Sequence, residues 1–217
     1  MTMRGTEIRT WLPGFNIFDK FREFISWRSL DGFTVGGDAA YSVTCQDATV
    51  LLATGYAAAD YDCFLKSASL RHFLVAAGKV ITVEFIISWL SHTSFQTIWL
   101  RMAQAGEDPP IIDHVFGWKI LNADLYAEND DGTTQTITDT GVNITSTTQF
   151  TRLKMVFTPG TNIKFYVNDV LKVTHTTNLP TGAHHVFHCH IRTHSTAANA
   201  TAIRKIELQR ALIEKEY

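Results

Sequence analysis

Apolar and polar side chains alternate most clearly between Phe150 and Gly182, FTRLKMVFTPGTNIKFYVNDVLKVTHTTNLPTG. In Arg152–Thr158, Leu153, Met155 and Phe157 point one way, and Arg152, Lys154, Val156 and Thr158 point the other. In Asn162–Asn168, Ile163, Phe165 and Val167 share a face opposite Lys164, Tyr166 and Asn168. In Val170–Thr176, Leu171, Val173 and His175 oppose Lys172, Thr174 and Thr176. A period of two sends successive side chains to opposite faces of a sheet. Pro159-Gly160 and Asn168-Asp169 tolerate the backbone angles of tight turns. The stretch therefore predicts a β-meander whose lysines keep its outer face wet.

The same pattern runs through most of the chain from Leu30 onward. Asp31-Gly32 and Gly36-Gly37 punctuate short strands, and Tyr41–Ala53 supplies one or two more. Lys79–Leu90 predicts a long strand with Ile81, Val83, Phe85, Ile87 and Trp89 on one face. Phe95–Met102 is expected to pair with it as a hairpin through Ser91–Ser94. Gln104–His114 reads as a loop, because Pro109-Pro110 cannot lie inside a sheet. Val115–Leu121 and Asp124–Glu128 follow, and Asp130-Asp131-Gly132 marks a hairpin before Thr133–Thr138. Strands near His185–Thr193 and Ala202–Gln209 come last.

Helical periodicity occurs once, in Phe15–Trp27. Phe18, Phe21, Phe24 and Ile25 fall at helical spacing among Asp19, Lys20, Arg22 and Glu23. A short helix is expected there, either capping the sandwich or docking onto another subunit. Strands joined by short turns, without alternating helices, exclude a doubly wound α/β fold. They predict an all-β, antiparallel β-sandwich. The expected organisation is an N-terminal arm and short helix over 1–29, a sandwich over 30–210 and a charged tail over 211–217.

The segment FTPGTNIKFYVNDVLKVTHTTNLPTG resembles the matching stretch of the concanavalin A-like lectin/glucanase superfamily, which includes laminin-G-like domains. Those proteins often show an aromatic, a short strand, Pro-Gly or Asp-Gly, then FYVDG and a further strand. Here Phe165-Tyr166-Val167-Asn168-Asp169 places Asp169 where the usual glycine stands. That departure is expected to change the turn type but not the strand pairing. The resemblance extends through KVITVEFIISWL, FQTIWLRM and VFGWKILNADLYAENDDGTT, and so covers residues 30–210. It implies a fold, the concanavalin A-like jelly roll, rather than an activity. The chain also resembles jelly-roll structural proteins of tailed bacteriophages. That resemblance implies a capsid decoration or other virion surface component, made in the host cytoplasm, with viral capsid protein as a partner.

Length and charge narrow the reading further. A chain of 217 residues can bury one substantial core. A formal charge of −2 gives no electrostatic case for nucleic acid or an anionic membrane. MTMRGTEIRTWLPGF has no continuous apolar run, so no signal peptide is expected. Val80–Leu90 is interrupted by Thr82, Glu84 and Ser88, and nothing reads as a membrane span. Cys45, Cys63 and Cys189 are odd in number, which predicts reduced, buried thiols.

Many glycoside hydrolases of this superfamily carry Glu-x-Asp-x-x-Glu on one strand, whose carboxylates serve as nucleophile and general acid. The nearest approach here is Glu128-Asn-Asp130-Asp-Gly-Thr133, without the last acid and with Gly132 breaking the strand. Serine nucleophile-elbow, phosphate-loop and zinc-protease motifs are absent. No enzyme activity and no cofactor are expected. Ala127–Thr138 fails the calcium-loop pattern at its first and twelfth positions and reads as a hairpin turn.

Five histidines cluster in HHVFHCHIRTH. His184, His188, His190 and His194 fall on one strand face, and His185 and Cys189 on the other. The expectation is a polar outer face, with Phe187, Cys189 and Ile191 packed inward and no metal bound. A pH-responsive subunit contact is the alternative. Trp89, Trp99, Trp118, Tyr126 and Tyr166 are candidates for stacking on a sugar, with Tyr166 and Trp99 foremost. The function expected is a non-enzymatic viral structural protein that self-associates, as a trimer, through Phe18, Phe21, Phe24, Ile25, His188 and His190. The alternative is a carbohydrate-binding module or receptor-binding domain with a glycan as partner.

Overall fold

The computed structural model describes residues 20–25, 30, 33–37, 41–46, 49–54, 62–67, 73–76, 78–89, 96–104, 114–144, 150–181, 184–193 and 205–216. In chain order its strands are β1 (Lys20–Ile25), β2 (Phe33–Gly37), β3 (Ser42–Gln46), β4 (Thr49–Ala53), β5 (Asp62–Ser67) and β6 (Phe73–Leu74). Then come β7 (Ile81–Trp89), β8 (Gln96–Gln104), β9 (Phe116–Leu121), β10 (Asp124–Asp130) and β11 (Gln135–Asn143). The last five are β12 (Thr151–Thr158), β13 (Asn162–Val167), β14 (Val170–His175), β15 (His184–Thr193) and β16 (Lys205–Glu216). They form two antiparallel sheets. Sheet 1 runs β14-β13-β12-β7-β16-β4-β3, with β1 also on β16. Sheet 2 runs β11-β10-β9-β8-β15-β5-β2, with β6 also on β15. No helix occurs among the described residues, and the architecture is the expected jelly-roll sandwich.

The core lies between the sheets and follows the alternation read from sequence. Sheet 1 supplies Ile81, Val83, Phe85 and Ile87 of β7, with Leu153, Met155 and Phe157 of β12 and Ile163 and Phe165 of β13. Sheet 2 answers with Ile98, Leu100 and Met102 of β8, with Phe116, Trp118 and Ile120 of β9 and Phe187, Cys189 and Ile191 of β15. Trp118 meets Phe165 edge-on across the layer, ring centroids 5.1 Å apart. All three cysteines are free thiols; Cys63 and Cys189 are buried and Cys45 is half-buried.

A polar clamp joins the two sheets between β14 and β10–β11. His175 of β14 hydrogen-bonds Asn129 of β10 through Nδ1, and through Nε2 it lies 2.9 Å from Thr138 Oγ1 of β11. The Asn129 amide donates to the carbonyls of Thr177 and Asn178, so its Oδ1 must accept from His175 Nδ1–H. Thr138 therefore donates to Nε2.

Several sequence expectations change. Lys20–Ile25 is not helical but forms β1, which pairs with Ala211–Glu216 of β16; the rest of Phe15–Trp27 lies outside the described residues. The helical spacing of Phe21, Phe24 and Ile25 yields to sheet context, because β4 covers only Lys205–Leu208 of β16 and the remaining ladder groups need a partner. The expected tail is likewise part of the sheet, since Ala211–Lys215 pairs with Ile81–Phe85 of β7 on its other side.

The β7–β8 hairpin is not formed: β7 pairs with β12 and β16 in sheet 1, and β8 with β9 and β15 in sheet 2. Each strand needs a covered apolar face, and crossing between layers gives both one. Finally, a bulge between Phe165 and Tyr166 puts Leu171 opposite Tyr166, and both Leu171 and Val170 are exposed. Asn168 and Asp169 both have positive φ, 48° and 65°. That is the left-handed two-residue turn a glycine would also serve, so Asp169 strains the turn rather than changing its hand.

Candidate functional site

Period two fixes what lies on the far side of sheet 2. Because Ile98, Leu100 and Met102 enter the core, Thr97, Trp99, Arg101 and Ala103 point away from it. Registers carry this face across the sheet. One rung reads Lys66, His188, Arg101, Gly117, Glu128, Ile137, on strands β5, β15, β8, β9, β10 and β11. The next reads Phe64, His190, Trp99, Lys119, Tyr126, Asp139 on the same strands.

Half of this face is closed. Arg101 is 1% exposed, Glu128 0%, His188 4% and His190 0%. Arg101 and Glu128 are two strands apart, yet Arg101 Nη1 approaches Glu128 Oε1 to 3.8 Å. Gly117 stands between them, and a Cβ there would lie 2.3 Å from the Arg101 Cβ. Arg101 Nε donates to His188 Nδ1 at 3.2 Å, so the His188 proton sits on Nε2. The guanidinium also lies over Trp99, 5.6 Å from the ring centroid. Trp99 in turn stacks on His190 at 4.8 Å with an interplanar angle of 18°.

At the β5 end, Asp62 takes a bidentate grip from Arg192, 2.8 Å on each oxygen, and accepts from His190 Nε2 at 2.6 Å.

Burial dominates the electrostatics. It pushes the Glu128 carboxyl up, against the pull of Arg101. It lowers His190 and takes His188 well below the usual imidazole value, with Arg101, His190 and Lys66 adding to the effect at His188. Burial would also raise Asp62, but His190 and Arg192 outweigh it and hold that carboxyl well below its ordinary range. Burial pushes the Cys63 thiol up to about 12, so it is not a nucleophile near neutrality.

The other half of the face is open. Lys119 and Tyr126 are partly exposed, and Asp139 and Ile137 are exposed. Here β11 bulges: Tyr126 pairs with Asp139 but Leu125 pairs with Val142. Thr140 Oγ1 donates to the Leu125 carbonyl at 2.6 Å, and Gly141 takes φ 67°. The bulge sets a tyrosine ring beside one cation and one carboxylate.

The candidates read from the sequence scatter over this geometry. Trp99 and Tyr166 lie on opposite outer faces and do not form one site; Tyr166 sits under Lys154 Nζ, 4.8 Å from its ring centroid. Trp118 is in the core, and the side chain of Trp89 lies outside the described residues. His188 and His190 are on one face as expected, but that face is covered rather than wet, and both rings have partners within the chain. Phe18 lies outside the described residues, as do the side chains of Phe21, Phe24 and Ile25. No group of three metal-ligating side chains occurs among the described residues. Sequence reasoning missed the Arg101–Glu128 pair, although Thr97-Ile-Trp99-Leu-Arg101 does alternate.

This two-sheet architecture is that of concanavalin A-like lectins and glucanases. The chain superimposes on a native glycosidic hydrolase with TM-score 0.64 at 12% identity, over 93% of this chain and 96% of the other. It matches the β-glucanase of Bacillus licheniformis with TM-score 0.62 at 12% identity, covering 91% and 98%. It matches the carbohydrate recognition domain of Emp47p with TM-score 0.62 at 11% identity, covering 84% and 88%. No protein-family model matches the chain, and no curated protein matches its sequence.

Proposed function

We propose that the chain is a non-enzymatic glycan-binding domain that takes its ligand on the open half of the sheet 2 outer face, over Tyr126. Neighbours of this fold include a carbohydrate recognition domain as well as glycosidases. The observation that carries the reading is the contrast along β10. A glycosidase needs two carboxyl groups free to reach a glycosidic bond. Here Glu128 is buried beside Arg101, and Asp130 Oδ1 accepts from the Gly132 backbone N–H at 2.6 Å. The accessible neighbour Tyr126 offers an aromatic face, with Lys119 to donate to sugar hydroxyls and Asp139 to accept from them.

A glycan array with wild type and Tyr126→Ala tests the reading. Binding by wild type and its loss in the variant, at unchanged melting temperature, is expected. No glycan bound, or binding that survives the substitution, overturns it. Release of reducing ends from a bound glycan would make the chain an enzyme.

A second reading retains the virion setting, with docking as a trimer. Val170 is 56% exposed and Leu171 48%, on edge strand β14, and Phe150 precedes β12 in water. Large apolar side chains exposed on an edge strand, as Val170 and Leu171 are, suit contact with another polypeptide. Light scattering at micromolar concentration would give a trimer on this reading; a monomer counts against it.

A further inference from the structure

We propose that Arg101 and His188 form an acid-sensitive latch on sheet 2: proton uptake by His188 breaks its hydrogen bond with Arg101 and loosens β8 from β15. The geometry sets the logic. Arg101 Nε–H donates to His188 Nδ1 at 3.2 Å, which requires an unprotonated Nδ1. Protonation turns that acceptor into a second N–H donor, carrying positive charge, against a guanidinium that cannot give up its own. The two side chains are 4% and 1% exposed, so water does little to screen them.

Among the described residues, no acid faces the His188 ring directly across the sheet. From β5, Lys66 faces His188 as a further cation, and on its own strand His190 stands 5.9 Å away between ring centroids. Of the acids, Asp62 on β5 is held by His190 and Arg192. Glu128 on β10 lies beyond Arg101, across Gly117 of β9. Lys119, the next outward residue of β9, adds another cation one rung away.

An opened latch exposes an imidazole of ordinary value, 6.5. Below that pH the open state binds more protons than the closed one, so falling pH favours opening. This device is independent of glycan binding.

Amide hydrogen exchange of the full chain at pH 7.5 and pH 5.0, corrected for the chemical rate, tests it. Exchange in β8 and β15 should speed up severalfold at pH 5.0, because the opening constant rises by up to about tenfold for each pH unit below 6.5 while the closed state stays unprotonated. Exchange in β12 and β13 should hold. His188→Asn keeps an acceptor for Arg101 and cannot titrate, so it should abolish most of that acceleration. Equal acceleration in the variant, uniform acceleration over all strands, or none at all overturns the proposal. If the variant does not fold, NMR titration of wild type decides. His188 must then protonate below its ordinary value and together with β8–β15 opening; titration near 6.5 without opening overturns the latch.

Discussion

Arg101 and Glu128 belong to strands that are not neighbours, and their side chains meet only because Gly117 leaves the intervening strand bare. Adjacent strands lie about 4.8 Å apart, so the arginine must span roughly twice that distance across β9. A long, planar cation lying flat on the sheet can do so where a β-carbon is missing.

Breaking this pair from one side should be costly. Arg101→Met leaves a buried carboxyl without its cation, and a loss of about 3–5 kcal/mol is expected. Adding Glu128→Leu to the same chain should restore most of it. Urea denaturation of the two single variants and the double variant measures the coupling; additive losses would mean that the two groups do not interact.

Gly117→Ala places a methyl 2.3 Å from the Arg101 Cβ and 2.6 Å from the Leu100 carbonyl oxygen. Neither atom is the end of a flexible chain, so the strands must move. A loss of roughly 1–3 kcal/mol is expected. An unchanged denaturation midpoint would show that β9 shifts freely.

In sheet 1, Phe165→Ala should cost about 3–5 kcal/mol, because the ring is fully buried against Trp118 and His175. Lys164→Ala on the outer face should cost far less. Equal losses on chemical denaturation would mean that the β13 register is displaced by one residue.

Asp62 makes the fold acid-sensitive by a second route. Its carboxyl is held below its ordinary value of 3.8 by His190 and Arg192. The stability it contributes is therefore complete above that pH and is lost as pH falls below it. Melting temperatures of wild type should drop between about pH 4 and pH 2 more steeply than those of Asp62→Asn. Parallel curves would remove Asp62 from the account.

Sequence pattern foretold strands wherever one face was apolar and the other polar, as in β12 and β13. It failed where both faces are covered. Every residue from Gln96 to Ala103 is buried, so Thr97, Trp99 and Arg101 resemble surface positions locally and are not. Glu128 stood out only as part of a catalytic triplet, since its partner lies two strands away and 27 positions earlier in the chain. Register across six strands is a long-range property, and no local period encodes it. β1 departs from its pattern for a related reason: helical spacing in Lys20–Ile25 is real, but the open edge of β16 decides.

The order of strands in space also dictates an order in time. In sheet 1, β16 is what joins β7 to β4, and in sheet 2, β15 is what joins β8 to β5. The strands from β2 to β6 therefore have no ladder to those from β7 to β14 until the two last-made strands arrive. During synthesis the middle of the chain can assemble its local hairpins first, while the early strands wait with open edges. That waiting period, rather than the finished sandwich, is when this chain is most exposed to misassembly.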